Sequence, residues 1–356
     1  MATSSSVRRV FVAMSGGVDS SVAAALMVRA GHDVTGVTMR LLAGDDPIDG
    51  CCSLDGVRSA KRVCDALGIP HYALEFADVF AREVIEPYCD EYAAGRTPNP
   101  CIACNDRVKF SELLRRVTLQ GADVLVTGHY ARVVRDAEGA PWLARGLDEK
   151  KDQSYFLYRL TPTQLEHVEF PLGEMTKVDV RALAREFGLP AAERAESQET
   201  CFVPDDDVRS FVRTRRPHAF RPGLVVDETG AAVGEHDGVA GFTIGQRRGL
   251  GLDGHERRFV TRVDTEAATV SVGPREALMA SDVIATDPVW RGSPCDAQVA
   301  CMLRYRGRAA SATARLEGDL LRIRFEAPVE GPAPGQAIVC YDGDKVLGGG
   351  VIEEAS

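Results

Sequence analysis

The stretch that decides the fold is VRRVFVAMSGGVDSSVAAALMVRAG at residues 7–31. Its first apolar run, VRRVFVAM, is typical of a buried strand, and SSVAAALMVRAG has a helical pattern that stops at Gly31. Between them, two adjacent glycines let the backbone turn tightly and come close to a ligand. Amide groups at the start of a helix favour an anion. The stretch therefore predicts a strand, an anion-binding loop and a helix.

The alternation of strands and helices continues beyond this stretch. Further strands are predicted in DVTGVTMRLL, IPHYALEF and ADVLVTGHYARV, with helical patterns between them. Alternating elements of this kind form a parallel sheet, and ligands bind at the carboxyl ends of its strands. The predicted fold class is α/β, with an N-terminal doubly wound, Rossmann-like parallel sheet.

The pattern changes after residue 205. Glycine becomes frequent, and short alternating runs such as GLVVDETGAAVGEH replace the helices. We therefore predict three domains: a catalytic domain at 1–205, a central small β domain at 206–280 and a C-terminal β-barrel at 281–356.

Composition limits the classes of function. The chain has 356 residues, 10 cysteines and a formal net charge of −10. It has no apolar run of membrane-spanning length and no signal-peptide pattern, so we expect a cytoplasmic protein with reduced thiols and no membrane partner. The negative charge argues against general nucleic-acid binding. Arginine, which binds phosphate with a planar fork, nevertheless clusters locally at Arg209, Arg213, Arg215, Arg216 and Arg221, at Arg247, Arg248, Arg257, Arg258 and Arg262, and at Arg304, Arg306 and Arg308.

Several motifs follow one another in a characteristic order. The Ser-Gly-Gly-x-Asp-Ser loop resembles the pyrophosphate loop (PP-loop) of the ATP pyrophosphatase superfamily, and it has no lysine to reach the outer phosphates. It is followed by TPNPCIACN at 97–105, TGHYAR at 127–132, KDQSYFLY at 151–158, SQETCFV at 197–203, GQRRGLG at 245–251 and RYRG at 304–307. Together these motifs are similar to those of the tRNA-specific 2-thiouridylase family over nearly the whole chain.

The resemblance implies a reaction. ATP, with Mg²⁺, would adenylate the 2-oxygen of the wobble uridine, and persulfide sulfur would replace that oxygen to give 2-thiouridine, AMP and pyrophosphate. Cys201 would carry the persulfide and Cys104 would attack it, because thiolates and persulfides are strong nucleophiles. The implied partners are tRNAs for Lys, Glu and Gln, and a cysteine desulfurase or sulfur-relay protein as the sulfur donor.

The resemblance also implies other site residues. ATP would contact Ala13, Met14, Ser15, Gly16, Gly17, Val18, Asp19, Ser20, Met39 and Gly128. The target base would lie near Asn99, Pro100 and Cys101, in a stretch whose prolines and asparagine predict a loop. tRNA would contact His129, Lys151, Asp152, Gln153, Arg304, Tyr305 and Gln336. Cys51 and Cys52 match a pair found in part of the family and receive no role.

Three alternatives stay open at the level of sequence. Some family members carry aspartate at the position of Cys101, so Cys101, Cys104 and Cys201 could instead hold a [4Fe-4S] cluster that binds sulfide, or a zinc ion. A second alternative is another PP-loop adenylating synthetase, although no glutaminase-type domain is present. The third is a sulfur carrier or RNA-binding protein without catalysis, against which the intact glycine loop argues.

Overall fold

The chain forms two compact units in a computed structural model that describes residues 6–42, 54–194, 200–252 and 257–356. The first unit comprises the described residues of 1–84, 101–206 and 344–346. The second comprises those of 85–100, 207–343 and 347–356. The glycine loop and the cysteines Cys101, Cys104 and Cys201 therefore belong to the first unit.

A five-stranded parallel sheet forms the centre of the first unit. Its strand order is β3-β2-β1-β4-β7, with bounds β1 Arg9–Ala13, β2 Asp33–Arg40, β3 His71–Glu75, β4 Val124–Val126 and β7 Val168–Glu169. β1 pairs in parallel with both neighbours, and its Val10 and Val12 are fully buried. This sheet confirms the predicted α/β class.

Helices cover this sheet through apolar faces. Val22 and Ala25 of the first helix pack with Val180 and Ala184 of the helix that begins at Lys177. The α-helices before residue 206 are α1 Val18–Arg29, α2 Leu54–Leu67, α3 Ala77–Phe80, α4 Glu86–Ala93, α5 Pro100–Ala103, α6 Leu114–Leu119, α7 Ser154–Leu157, α8 Pro162–Leu165 and α9 Lys177–Glu186, of which α4 belongs to the second unit. Two π-helical segments, Ala81–Ile85 and Cys104–Leu113, join neighbouring helices.

The prediction of a single strand over ADVLVTGHYARV is wrong. The parallel strand β4 ends at Val126, and a separate strand β5, Ala131–Arg135, pairs antiparallel with β6, Pro141–Arg145. Between the two strands, Gly128 lies so close to the glycine loop that a Cβ there would be 2.7 Å from the backbone nitrogen of Ser20. The chain therefore leaves the sheet at the point where it meets the loop.

The loop predicted over TPNPCIACN is also mostly wrong. Helix α5 begins at Pro100 and continues directly into the π-helical segment that starts at Cys104. Proline is well tolerated at the first position of a helix, because its missing N–H would have no intrahelical partner there. Only residues 97–99 are irregular, so both cysteines of this motif lie on a helical segment.

The second unit contains helix α10, Val208–Arg215, and two β structures. The first is a four-stranded sheet in the order β10-β11-β8-β9, with bounds β8 Gly223–Val226, β9 Ala232–His236, β10 Phe259–Asp264 and β11 Thr269–Gly273. Short 3₁₀ turns of this unit lie at Pro217–Ala219, Val239–Gly241 and Arg275–Leu278, and another, Pro204–Asp206, belongs to the first unit.

The second β structure is a barrel of six strands. It runs in the order β12-β15-β14-β13-β16-β17 and closes through a pairing of β12 with β17. The bounds are β12 Met279–Trp290, β13 Ala297–Met302, β14 Ala310–Glu317, β15 Leu320–Glu330, β16 Ala337–Asp342 and β17 Lys345–Ala355. The two predicted β folds are thus confirmed, while the boundaries near 205 and 280 stay predictions. No helix in the described ranges is long and apolar enough to cross a bilayer.

Candidate active site

The glycine loop connects β1 to α1 at the carboxyl edge of the sheet. Gly16 has a φ of +75°, a conformation that favours glycine, and a Cβ there would lie 2.4 Å from the carbonyl oxygen of Gly56. The Ser59 hydroxyl donates to the Gly16 carbonyl at 2.9 Å. Gly17 differs, because its φ is −86° and the only atom of the described residues that a Cβ would meet is the Ser15 hydroxyl oxygen, at 3.5 Å. Gly16 is therefore required by the fold, whereas Gly17 is not.

The serines of the loop fix its shape. The Ser15 amide donates to the Ser20 hydroxyl at 3.2 Å, and that hydroxyl is within 3.1 Å of the Gly17 carbonyl. The Ser21 hydroxyl also donates to the Gly17 carbonyl, at 2.8 Å. The turn is thus ordered by its own side chains before any ligand is bound, which is the preorganisation that anion binding requires.

The two glycines give a test of this geometry. We expect Gly16→Ala to lower the thermal unfolding temperature and to abolish ATP binding, since both its φ and its contact with Gly56 reject a methyl group. Gly17→Ala should unfold at the wild-type temperature, yet it should weaken ATP binding at least about tenfold if phosphate packs against that backbone. Calorimetric unfolding and titration with ATP measure both effects. Unchanged ATP affinity in Gly17→Ala would contradict a phosphate site at this loop.

Lys177 is a site residue that the sequence motifs missed. Its ammonium group donates to both carboxylate oxygens of Asp19, at 2.7 and 2.8 Å, and the Tyr130 hydroxyl donates to the same carboxylate at 2.8 Å. The side chain of Lys177 is only 11% exposed, and lysine is rarely buried unless it is paired. The lysine that the loop itself lacks thus reaches it from the first turn of α9.

A sequence signal for Lys177 existed. Thr176 and Asp179 form a capping box that marks the start of α9. A cation in the first turn of a helix opposes the helix dipole, so a lysine directly after the capping threonine is unusual. The side chain of Asp148 accepts from the Lys177 backbone amide at 2.9 Å and so fixes this end of the helix.

The other predicted nucleotide residues lie around this loop. Ala13 ends β1 opposite Val37 of β2, and Met39 lies two residues further along β2. Met14 donates its amide to the Val37 carbonyl at 2.7 Å. The structure therefore gathers residues 13–20 and Gly128 at one edge of the sheet, with Met39 on the neighbouring strand.

The three cysteines of the two distant motifs differ in exposure. Cys101 is exposed, Cys104 is buried and Cys201 is partly exposed. Phe202, directly after Cys201, packs edge-to-face on Phe80 with a centroid distance of 5.5 Å. Among the residues with described positions, no group of three or more His, Cys, Asp or Glu side chains is arranged to hold a metal ion. Cys51, Cys52 and residues 197–199 of the SQETCFV motif lie outside those positions.

Two other cysteines provide a chemical contrast. Burial raises the pKa of the Cys64 thiol, and likewise that of Cys89, to about 11. Such thiols stay protonated and inert at neutral pH. Cys201 is partly exposed, so it is more accessible to an incoming sulfur donor than the buried Cys64 and Cys89.

The segment after Cys104 is tied to its surroundings by hydrogen bonds. Asn105 is buried, accepts from the Lys109 ammonium at 2.9 Å and donates to the Phe156 carbonyl at 3.3 Å. π-Helical turns are rare and occur frequently at functional sites. The Cys104–Leu113 segment is therefore an unusual backbone held by specific side-chain contacts.

His129 lies between aromatic rings next to Gly128. Its ring centroid is 5.8 Å from that of Phe110 and 6.0 Å from that of Phe170, and its Nδ1 is 2.7 Å from the Thr127 hydroxyl. Burial against these rings, together with the positive charge of Lys109, lowers the pKa of His129 well below its usual value. The imidazole is therefore neutral at physiological pH.

The KDQ motif stabilises the turn in which it lies. The Asp152 side chain, 6% exposed, accepts from the Gly146 and Ser154 amides at 2.9 and 3.0 Å. Gln153 exchanges two hydrogen bonds with the backbone of Tyr130, at 2.8 and 3.0 Å. Lys151 is partly exposed. Contact of these three residues with tRNA stays a prediction.

Arginines of the second unit fall into two groups. Arg213 and Arg216 pair with the acidic residues Asp237, Glu86 and Asp90. Others are exposed, with no ion pair to any acidic residue whose position is described: Arg247, Arg248, Arg304, Arg306 and Arg308. The guanidinium of Arg306 lies 5.1 Å from the ring centroid of Tyr305. In the cluster at 247–262, Arg258 and Arg262 pair with Glu228 and Asp264, so the cluster at 304–308 is the one whose three arginines are all without an ion pair to a described acidic residue.

Gln336 and the TPNP stretch come together in the second unit. The Gln336 side-chain amide donates to the carbonyl oxygen of Thr97 at 2.8 Å. The Thr97 amide donates to the Pro334 carbonyl, also at 2.8 Å. Asn99 and Pro100, predicted to lie near the target base, follow within three residues and are partly exposed.

Comparisons with known proteins agree with this architecture. Three family models match in succession, described as tRNA methyl transferase HUP domain (residues 8–205), tRNA methyl transferase PRC-barrel domain (209–274) and aminomethyltransferase beta-barrel domain (280–352). A solved 4-thiouridine synthetase–RNA complex with bound ATP is 18% identical with a TM-score of 0.35 and covers 52% of this chain and 42% of its own. No conclusion rests on a similarity that low.

Curated relatives match over nearly their whole length. Proteins named tRNA-specific 2-thiouridylase MnmA are 47% identical in Geobacter metallireducens, over 98% of this chain and 97% of the relative. The identity is also 47% in Moorella thermoacetica, over 97% and 99%. In Acidothermus cellulolyticus it is 46%, over 97% of each chain.

Fold and loop define a HUP-domain protein with two appended β domains, the last a closed barrel. Within that class, the chain belongs to the tRNA-specific 2-thiouridylase family. The membership confirms the family and the sulfurtransferase enzyme class expected from the motifs.

Proposed function

We propose that this protein adenylates the 2-oxygen of the wobble uridine of tRNA with ATP and replaces that oxygen with persulfide sulfur. The observation that carries the proposal is the preorganised Ser-Gly-Gly-Val-Asp-Ser loop with Lys177 beside it, in the same unit as Cys104 and Cys201. The names of the two relatives that are 47% identical to this chain support the substrate.

The first step forms the leaving group. The uridine 2-oxygen attacks the α-phosphorus of ATP, the bond to the bridging oxygen breaks, and pyrophosphate departs. The loop amides and Lys177 offset the negative charge that develops on the phosphates. Mg²⁺ would supply further positive charge there, and the Asp19 carboxylate of the loop would be its ligand.

The second step transfers sulfur. The terminal sulfur of the Cys201 persulfide attacks C2 of the uridine, and AMP leaves with the former 2-oxygen. The Cys104 thiolate then attacks Sγ of Cys201, which breaks the bond to the transferred sulfur and leaves a Cys104–Cys201 disulfide. The transferred sulfur is reduced as the two thiols are oxidised, so a thiol reductant is needed before the next turnover.

Recognition of tRNA belongs to the exposed arginines. Arg304, Arg306 and Arg308, with Arg247 and Arg248, are suited to phosphate contacts, and Tyr305 offers a ring on which a base can stack. The wobble base must leave its stack to enter the site. We further propose the tRNAs for Lys, Glu and Gln as substrates, a cysteine desulfurase or sulfur-relay protein as donor, and the cytoplasm as the location.

The decisive experiment measures iron, zinc and acid-labile sulfide in anaerobically purified protein, together with thiolation of unmodified tRNA by ATP and a persulfide donor. We expect 2-thiouridine, AMP and pyrophosphate in equal amounts, at a rate independent of the iron and zinc content. Activity that rises with about four irons per chain would assign Cys101, Cys104 and Cys201 to a [4Fe-4S] cluster. Absence of 2-thiouridine despite pyrophosphate release would favour another adenylating synthetase.

A further inference from the structure

We propose that Gln336 is a positioning residue that clamps the irregular stretch before helix α5. The proposal rests on the proposed thiolation, because the clamped stretch leads through Asn99 and Pro100 to Cys101 and Cys104. Its evidence lies entirely within the second unit of the structure.

Thr97 is held from three sides. Its amide donates to the Pro334 carbonyl and its carbonyl accepts from the Gln336 side chain, both at 2.8 Å. Its hydroxyl is 3.3 Å from the hydroxyl of Thr243. All three hydrogen-bonding groups of one residue are thus engaged by the turn before β16 and by the central β domain.

The backbone packs closely around this contact. Gly335, at a φ of +89°, passes so close that a Cβ there would be 2.8 Å from the Thr97 nitrogen. On the other side, Arg96 forms ion pairs with Glu91 at 2.7 Å and with Glu353 of the barrel at 2.6 Å. The barrel therefore fixes two successive residues of the stretch.

The hydrogen bond between Gln336 and Thr97 predicts an effect of Gln336 on the reaction rate. The Nε2 group of Gln336 donates to the Thr97 carbonyl oxygen, so loss of this side chain would release Thr97. Active-site geometry is sensitive to such release, because a displacement of about 1 Å can cost on the order of 100-fold in rate. Loss of the Gln336 side chain should therefore lower turnover even at saturating tRNA.

The experiment compares Gln336→Ala and Gly335→Ala, with Gln298→Ala as the matched control. Gln298 is an exposed barrel glutamine whose amide donates to Thr313 at 3.0 Å. We expect both clamp variants to lower the single-turnover rate of thiolation at saturating tRNA about tenfold, with Gln298→Ala unchanged. Gly335 has no side chain to offer tRNA, so agreement between the two variants identifies the clamp.

Amide hydrogen exchange at Thr97, read by mass spectrometry, provides an arm that needs no substrate. We expect Gln336→Glu, which keeps the size of the side chain but loses the donor, to exchange this amide at least about tenfold faster than wild type. Unchanged exchange would overturn the clamp, as would a tRNA Kd weakened in Gln336→Ala alone with the rate intact. Because exchange is independent of thiolation, failure of the proposed reaction and failure of the clamp are distinguishable.

Discussion

Replacing Cys201 with serine is expected to abolish thiolation while leaving adenylation intact. A serine hydroxyl cannot hold a persulfide, so the sulfur transfer has no carrier. The ATP loop does not include Cys201, so pyrophosphate release in the presence of tRNA should stay within about fivefold of wild type. The measurement pairs 2-thiouridine formation from a persulfide donor with pyrophosphate release.

The matched control for this substitution is Cys295→Ser, at an exposed cysteine of the second unit. It should retain full thiolation. Formation of 2-thiouridine by Cys201→Ser would refute the carrier role, and loss of pyrophosphate release would show that the residue acts earlier in the reaction. In Cys104→Ser, we expect AMP to be released while the tRNA stays joined to Cys201 through the uncleaved S–S bond, so that 2-thiouridine is not released.

Replacing Lys177 with methionine should slow adenylation by about 10²–10³-fold, the usual cost of removing one donor that stabilises developing charge. The lysine is held at the glycine loop by Asp19, where it can turn to the phosphates of ATP. Its charge acts on the departing group, so affinity for inorganic pyrophosphate should fall at least about tenfold while affinity for AMP is unchanged. Calorimetric titration with each ligand measures this difference.

Lys177→Met should also lower the unfolding temperature, because it leaves the Asp19 carboxylate without its cation. The double variant Lys177→Met/Asp19→Asn removes that charge and should recover the unfolding temperature without recovering pyrophosphate affinity. Lys177→Arg keeps the cation and should retain part of the rate. Lys61→Met, at an exposed lysine paired with Asp65 at 2.9 Å, is the control, and equal loss of affinity for AMP and pyrophosphate would contradict a role at the outer phosphates.

The parts of the site that could be predicted from the sequence are those formed by consecutive residues. The glycine loop is one, because a strand, two glycines and a helix specify its shape locally. The alternation of strands and helices likewise indicated the parallel sheet. The need for glycine at position 16 could be predicted from its place at the turn. Its contact with Gly56 could be seen only in the structure.

Other features depend on residues far apart in the chain. Lys177 lies 158 residues from Asp19, and Gln336 lies 239 residues from Thr97. Such pairs are fixed by the fold, and a motif match assigned Gln336 to tRNA without indicating its partner. The strand break at Gly128 was missed for the same reason, since the close approach to Ser20 is tertiary.

The composition of the second unit has a consequence for the order of folding during synthesis. Residues 85–100 emerge early, yet they pack with residues that follow 206. The ring of Tyr88 meets that of Phe211 at 6.5 Å, and Asp90 pairs with Arg216 at 2.7 Å. More than a hundred residues must therefore be synthesised after helix α4 before α10 can pack on it. Until then, the apolar side chains of α4 are accessible to chaperones.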